Sequence, residues 1–171
     1  MRLLSAMFLA LLLAGCAGYG GTGLKPGEAG LDDVLRVMGQ PAMRWENPDG
    51  SLQLAYPRGP MGFHTYMVGI GKDGKLQWLE NVMDPKVFAR IHAGMTKSQV
   101  LQILGPSEPS WTVYFKARDE LVWEWRYCDE WSEAARFDVL FDGSKGTVRS
   151  TMRQTESLMG LCSGWGCTCG R

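Results

Sequence analysis

The stretch GMTKSQVLQILGP, at residues 94–106, decides the fold prediction because both ends of a short helix are visible in it. Thr96 followed three residues later by Gln99 is typical of a capping box, in which the two side chains satisfy backbone donors at a helix start. Apolar residues then recur at helical spacing, and Gly105 and Pro106 favour a stop. A helix of about ten residues is marginal alone, so it must pack against another element.

A second copy of this pattern, GLDDVLRVMGQP, lies at residues 30–41. It has the same apolar spacing and the same glycine and proline stop, and Asp32 and Asp33 place negative charge near the positive end of the helix dipole. Trp45 stands in the first copy where Trp111 stands in the second. We therefore predict an internal repeat of a helix followed by strands.

Strand signals follow both copies of the helix. The predicted strands are residues 52–56, 65–70 and 75–79 in the first half, and 121–127, 135–141 and 146–152 in the second. A weaker helix at residues 85–91 begins at a proline and precedes the second copy. We expect an α+β fold of two tandem modules, residues 26–84 and 85–155, each with two helices and a three-stranded antiparallel sheet.

Residues 1–15 have the pattern of a secretory signal peptide, with a basic residue followed by an apolar run too short to span a bilayer. Leu-Ala-Gly-Cys at residues 13–16 is similar to a bacterial lipobox and marks Cys16 as the lipidated residue. The alternative is an ordinary signal peptide with a chance cysteine. Because Ala17 is not an inner-membrane retention aspartate, we expect a lipid anchor in the outer membrane, facing the periplasm. Residues 16–25 would form a glycine-rich tether.

The charge and motif content argue against several function classes. Basic and acidic side chains number 18 each, whereas nucleic-acid binding requires a strongly basic surface. We expect structural roles for the only histidines, His64 and His92. The sequence has no nucleophile elbow, no zinc-protease motif and no phosphate loop. We therefore expect a protein that is not an enzyme and that uses no metal or cofactor.

The chain carries seven tryptophans, a residue type that anchors many protein interfaces. Along the predicted strand 121–127, the large aromatic side chains alternate with charged ones and share one side. That side is either the core face of the sheet or, in part, an outward binding surface. The candidate partner-binding aromatics are Trp111, Trp123, Trp125 and Trp131.

Four cysteines remain if Cys16 carries lipid, and three of them lie in the tail, residues 156–171. An even number in an oxidising compartment favours two disulfides, for which three pairings exist. If all four are paired, at least one bond joins the tail to the second sheet. The competing interpretation is a metal site or a redox-active pair. The disulfide candidates are Cys128, Cys162, Cys167 and Cys169.

Residues 91–106 resemble the signature of the SmpA/OmlA (BamE-like) family of outer-membrane lipoproteins, and the lipobox at Cys16 agrees with that family. The resemblance covers roughly residues 26–155. It implies helix-helix-three-strand modules and a function through protein contacts with the outer-membrane barrel-assembly machinery. Two such modules in tandem look like the β-lactamase inhibitor protein architecture, in which a curved sheet grips a partner with aromatic residues.

The sequence therefore predicts a non-enzymatic outer-membrane lipoprotein that binds proteins, in outer-membrane protein assembly or envelope integrity. The expected partners are the membrane, through the N-terminal lipid, and protein, with no nucleic acid. One alternative is a periplasmic inhibitor or ligand-binding protein that uses the aromatic faces of paired sheets. Another is a thiol or metal protein that acts through the tail.

Overall fold

A computed structural model describes residues 20–59 and 61–169, so the predicted signal peptide and Cys16 lie outside the described residues. The helices are α1 (Leu31–Met38), α2 (Pro85–Phe88) and α3 (Lys97–Leu104). The strands of the first half are β1 (Met43–Glu46), β2 (Leu52–Pro57), β3 (Thr65–Ile70) and β4 (Leu76–Asn81). Those of the second half are β5 (Val113–Phe115), β6 (Glu120–Cys128), β7 (Ala134–Asp142) and β8 (Val148–Thr155).

The strands form two antiparallel sheets, and each strand pairs with the next one along the chain. The first sheet has the order β1-β2-β3-β4 and the second has the order β5-β6-β7-β8. Helix α1 precedes the first sheet and α3 precedes the second. The plan of a helix followed by a meander thus occurs twice, which is the repeat that residues 30–41 and 94–106 predict.

The prediction of two helix-helix-three-strand modules is wrong. Each sheet has a fourth strand, and among the described residues α1 is the only helix that precedes the first sheet. The unpredicted strands, β1 and β5, are an edge of each sheet and have four and three residues. All three residues of β5 are exposed, so its sequence has no alternation to reveal. β1 does alternate, with Met43 and Trp45 against the core and Arg44 and Glu46 exposed, but four residues are too few for this pattern to be recognised.

Helix α3 begins and ends as the sequence predicts. The Gln99 backbone N–H donates to Thr96 Oγ1 at 3.3 Å, and the Thr96 N–H donates to Gln99 Oε1 at 2.8 Å. Gly105 ends the helix with a φ of 72°, a conformation that favours glycine. A Cβ at this position would also lie 2.9 Å from Thr65 Cγ2, so the helix can approach the first sheet closely only with glycine here.

Helix α3 joins the two sheets through one core. Its buried Val100 and Leu104 share a cluster with Ala55 and Met67 of the first sheet. The second sheet contributes large buried side chains to the same cluster, namely Trp125, Tyr127, Phe137, Val139 and Phe141. Helix α1 instead packs on the other face of the first sheet. The two faces present different residues because successive side chains along a strand point to opposite faces. The two repeats are therefore packed as one unit.

The described part of the predicted tether lies on the first sheet. A Cβ added to Gly20 would lie 3.3 Å from Tyr66 Oη, at the start of β3. Leu24 packs against the cluster that α1 forms with the sheet. The first described residue, Gly20, is thus beside Tyr66 at one end of the first sheet.

Candidate partner-binding surfaces

Two disulfide bonds hold the C-terminal tail, which confirms the disulfides expected from the sequence. One joins Cys128, at the end of β6, to Cys169, and the other joins Cys162 to Cys167. Their Cα–Cα distances of 5.9 and 5.3 Å are in the usual range. The first bond attaches the tail to the second sheet, and no cysteine among the described residues keeps a free thiol.

Backbone hydrogen bonds attach the tail to the turn between β6 and β7. The Cys169 N–H donates to Ser132 O at 2.9 Å, and the Glu156 N–H donates to Ala134 O at 2.8 Å. Thr168 forms a β-bridge with Glu133. We call this end of the molecule, residues 129–133 together with 156–169, the tail end.

The tail end exposes large apolar side chains. Trp131 is 81% exposed and Trp165 is 91% exposed. Leu158 and Leu161 are 82% and 57% exposed. Several large apolar side chains exposed in one region of a domain commonly mark an interaction site, whereas single exposed apolar residues do not.

The four predicted partner-binding tryptophans have different environments. Trp131 is exposed at the tail end, whereas Trp125 is 3% exposed in the shared core. Trp123 is partly buried against the same core, and its ring contacts that of Phe141. Trp111 lies over the guanidinium of Arg136, with 3.6 Å between the ring centroid and Cζ. The structure does not bring these four side chains together.

Sequence reasoning missed Trp165, which the structure exposes more than any of the four candidates. A signal for it existed, because Trp165 lies between two glycines inside the short loop that Cys162 and Cys167 close. Such a loop cannot bury a large ring within itself. The two flanking glycines were therefore an available signal of exposure, but its use required the Cys162–Cys167 pairing that the structure supplies.

Strand β8 is an open edge of the second sheet. Hydrogen-bonded pairs alternate along antiparallel strands, and Glu156 bonds to Ala134 across this pair of strands. The backbone N–H and C=O of Thr151 and Arg153, opposite Val139 and Phe137, therefore point away from β7. No backbone group in the described part of the chain bonds to these two residues on that side.

A groove of about 210 Å³ runs beside this open edge. Phe88 and Ile91, from α2 and the turn after it, form one wall, and Thr151 and Arg153 of β8 form the other. Residues 149–154 of β8 are all exposed. An extended segment paired to β8 would thus have backbone partners and, on one face, a recess for a side chain with both apolar and polar walls.

The opposite face of the second sheet carries a buried ionic cluster. Glu156 accepts hydrogen bonds from Arg126 and Arg136, and Arg136 also bonds to Glu124. Aromatic rings cover both cations, since Phe63 lies 4.2 Å from Arg126 Cζ and Trp111 covers Arg136. The cluster joins the second sheet, the tail and the loop between β2 and β3.

The cluster perturbs two carboxyl groups in opposite directions. Burial tends to raise the pKa of Glu156, but hydrogen bonds from Arg126 and Arg136 outweigh it, so the pKa lies below its ordinary value. Burial, followed by the neighbouring carboxyl of Glu124, raises the pKa of Asp138 to about 7. Asp138 is 4% exposed and its Oδ1 has no hydrogen-bond partner in the described structure.

The possible metal ligands of the described residues are His, Cys, Asp and Glu side chains. Within residues 20–59 and 61–169, no group of three or more histidine, cysteine or acidic side chains is placed to hold a metal ion. The cysteines that the metal hypothesis requires are used in disulfides. Across the same residues, no helix is both long and apolar enough to cross a membrane.

No protein-family model matches this chain, and no curated protein or solved structure matches it either. The resemblance of residues 91–106 to the SmpA/OmlA signature therefore stays a prediction.

Proposed function

We propose that this protein is an outer-membrane lipoprotein that binds another protein by accepting one of its strands at the open edge of β8. The observation that carries the proposal is the unpaired backbone of Thr151 and Arg153 beside the groove that Phe88 and Ile91 line on the other side. Main-chain hydrogen bonds supply affinity in this mode of binding, and a side-chain pocket supplies selectivity.

The length and chemistry of β8 favour this mode. Sheet edges are normally protected by being short, kinked, charged or covered. Residues 94 and 95 cover only the start of β8, where Gly94 N–H donates to Val148 O. The exposed remainder extends over residues 149–154 and contains no proline, and its protection is limited to a register shift beside Ser150 and the charges of Arg149 and Arg153. The outward backbone groups of Thr151 and Arg153 are nevertheless uncovered among the described residues, so they are available to a partner strand.

The proposed location and pathway rest on the sequence. The lipobox at Cys16 supports anchoring in the outer membrane, and the signature at residues 91–106 supports a role in outer-membrane protein assembly. The inhibitor alternative required aromatic faces of the paired sheets, but Trp125 and Phe137 are buried in the shared core. We therefore favour edge pairing over that alternative.

The test replaces one outward-pointing backbone donor. Thr151→Pro removes the N–H that would bond to the partner. It removes no hydrogen bond to β7, because this N–H faces away from β7. Thr151→Val is the matched control, since it keeps the N–H and replaces the hydroxyl by a methyl group of similar size. Full-length protein would be purified from mildly solubilised outer membranes, and co-purified proteins identified by mass spectrometry.

We expect barrel-assembly proteins to be recovered with the natural chain and with Thr151→Val but lost with Thr151→Pro. Circular dichroism should show that the proline variant is folded. Equal recovery with Thr151→Pro would refute edge pairing. Recovery of a different partner with the natural chain and Thr151→Val, but not with Thr151→Pro, would refute the assembly role while leaving the edge as the binding site. In parallel, Cys16→Ala should move the folded protein from the membrane to the soluble fraction.

A further inference from the structure

An open trough of about 520 Å³ lies on the first sheet, which does not contain β8. Gly69 of β3 pairs with Gln53 of β2 on one side and with Trp78 of β4 on the other. Residues opposite each other in antiparallel strands share a face of the sheet, so these three form one row whose middle has no side chain. The turns that join β1 to β2 and β3 to β4 line one end of the trough. Its volume is in the range of small-molecule sites.

The indole ring of Trp78 lies over Gly69 and forms one wall of the trough. A Cβ at position 69 would overlap Nε1 and Cε2 of this ring, so the ring can occupy its position only because residue 69 is glycine. Trp78 is nevertheless 40% exposed. One part of the ring is thus held against the sheet backbone while another part is open to solvent. Such a ring suits a ligand that carries C–H groups, because the ring face is negative and the C–H hydrogens are slightly positive.

The polar side chains of the trough offer mainly hydrogen-bond acceptors. Asn47 and Gln53 use their amide N–H groups in bonds to a turn hydroxyl and to the α3 backbone. Asp49 and Asp73 each use Oδ1 to accept from a backbone N–H in their own turns. No described residue donates to the second oxygen of either carboxylate, or to the two amide oxygens. These four free acceptors beside one aromatic ring fit a ligand that is rich in hydroxyl donors.

The charges around the trough disfavour a charged ligand. Hydrogen bonds from Ser51 and, to a smaller extent, the charge of Lys72 hold the pKa of Asp49 below its ordinary value. Asp49 is therefore an ionised group within electrostatic reach of Lys72. Lys72 repels a cation, and the carboxylates of Asp49 and Asp73 repel an anion. A neutral ligand meets neither penalty.

We propose that the trough binds a neutral sugar chain, one pyranose ring of which lies against Trp78 and donates its hydroxyl hydrogens to the four acceptors. A pyranose ring has C–H groups on its faces and hydroxyl groups around its edge, so a single ring uses both the indole and the oxygens. Because the trough is an open depression, the rest of the sugar chain can remain in solvent. The site depends neither on strand pairing at β8 nor on a lipid at Cys16.

The test measures sugar binding to the full-length chain by saturation-transfer difference NMR. The probes are cellotriose and chitotriose, two neutral trisaccharides, with trilysine as the cationic comparison. The protein is held in a zwitterionic detergent, because a detergent with a sugar headgroup would compete for the site.

Three substitutions in the trough are compared with one outside it. Trp78→Ala removes the ring, and Trp78→Phe keeps a smaller one. Asp73→Asn removes the free carboxylate oxygen but keeps the Oδ1 that accepts from the Lys75 N–H, so it leaves the turn intact. Trp165→Ala is the matched control, since Trp165 is 91% exposed and lies outside the trough. Circular dichroism checks that each variant is folded.

We expect saturation to pass from the natural chain and from Trp165→Ala to the ring protons of at least one trisaccharide. The dissociation constant should rise at least about tenfold in Trp78→Ala and less in Trp78→Phe, because a central aromatic contact commonly dominates binding. It should rise about threefold in Asp73→Asn, because a charged acceptor forms the stronger hydrogen bond.

Two results would overturn the proposal. One is the absence of saturation transfer to both trisaccharides, and transfer to trilysine alone would then assign the trough to a basic peptide. The other is a dissociation constant that is the same in the natural chain, in Asp73→Asn and in the folded Trp78 variants, because the sugar would then bind elsewhere.

Discussion

Arg126 meets Glu156 in a two-point ion pair, with Nε–Oε1 and Nη2–Oε2 distances of 2.7 Å each. The two side chains are only 10% and 5% exposed. Arg126 is on β6 and Glu156 begins the tail, so the pair joins the second sheet to the tail in addition to the disulfide. Buried pairs with two parallel bonds are both strong and geometrically specific.

Loss of the Glu156 charge should destabilise the protein strongly. Glu156→Gln would leave two arginines with reduced compensation, and removal of one partner from a buried ion pair costs about 3–5 kcal/mol. The free energy of unfolding in urea measures the effect. The control is Glu80→Gln, which removes an exposed pair with Arg90 at 3.7 Å and should change the free energy by less than about 1 kcal/mol. Equal effects of the two substitutions would contradict this assignment.

Glu156 should also make the protein sensitive to acid. Its pKa is lowered in the folded state, so its stabilising contribution is present above its ordinary pKa of 4.5 and is lost as the pH falls further. The free energy of unfolding should therefore decrease below about pH 4.5 in the natural chain. In Glu156→Gln this acid dependence should be weaker.

Asp138 should have the opposite pH dependence. Its pKa rises from 3.8 to about 7 on folding, so between these values the folded state binds more protons than the unfolded state. Stability should then fall as the pH rises through this window. Asp138→Asn should stabilise the protein at pH 8 by about 1–3 kcal/mol and have little effect near pH 4. Thermal unfolding at the two pH values measures this, and a pH-independent effect of the variant would be the contrary result.

The two disulfides should differ in their contribution to stability. The Cys128–Cys169 bond spans 41 residues of sequence, and the Cys162–Cys167 bond spans 5. Because a longer loop loses more entropy in the unfolded chain, the double serine variant of the first pair should be less stable than that of the second by about 2 kcal/mol. Urea unfolding of the two variants, without reductant, gives the difference. Equal free energies of unfolding for the two variants would mean that loop length does not determine how much each disulfide stabilises the protein.

The two sheets should unfold together because α3 packs on both. Leu104 is fully buried in the shared cluster, and Leu104→Ala should cost about 2–5 kcal/mol. Hydrogen exchange should show the same loss of protection in β3 and β7. Ser98→Ala, on the exposed side of the same helix, is the control. Reduced protection in β7 alone would show that the repeats are energetically separate.

Local sequence patterns predicted the elements whose formation depends on nearby residues. The Thr96 and Gln99 cap and the Gly105 stop located α3, because caps act over three or four residues. Strand-forming residues and turn signals located six of the eight strands, and alternation supported β6 and β7 because side chains on one face recur at every second residue. β1 and β5 were missed because they have only four and three residues, too few for a pattern to be recognised, although β1 does alternate.

The sequence also established that four cysteines follow Cys16 and that aromatic residues share one side of β6, but not which surfaces these residues would form. The pairing of Cys128 with Cys169, the burial of Trp125 and the exposure of Trp165 were decided by the tertiary structure. The same holds for the open edge of β8, since an edge exists only where no neighbour pairs. Caps and alternation act within a few residues, whereas pairing and burial depend on chain segments far apart in sequence.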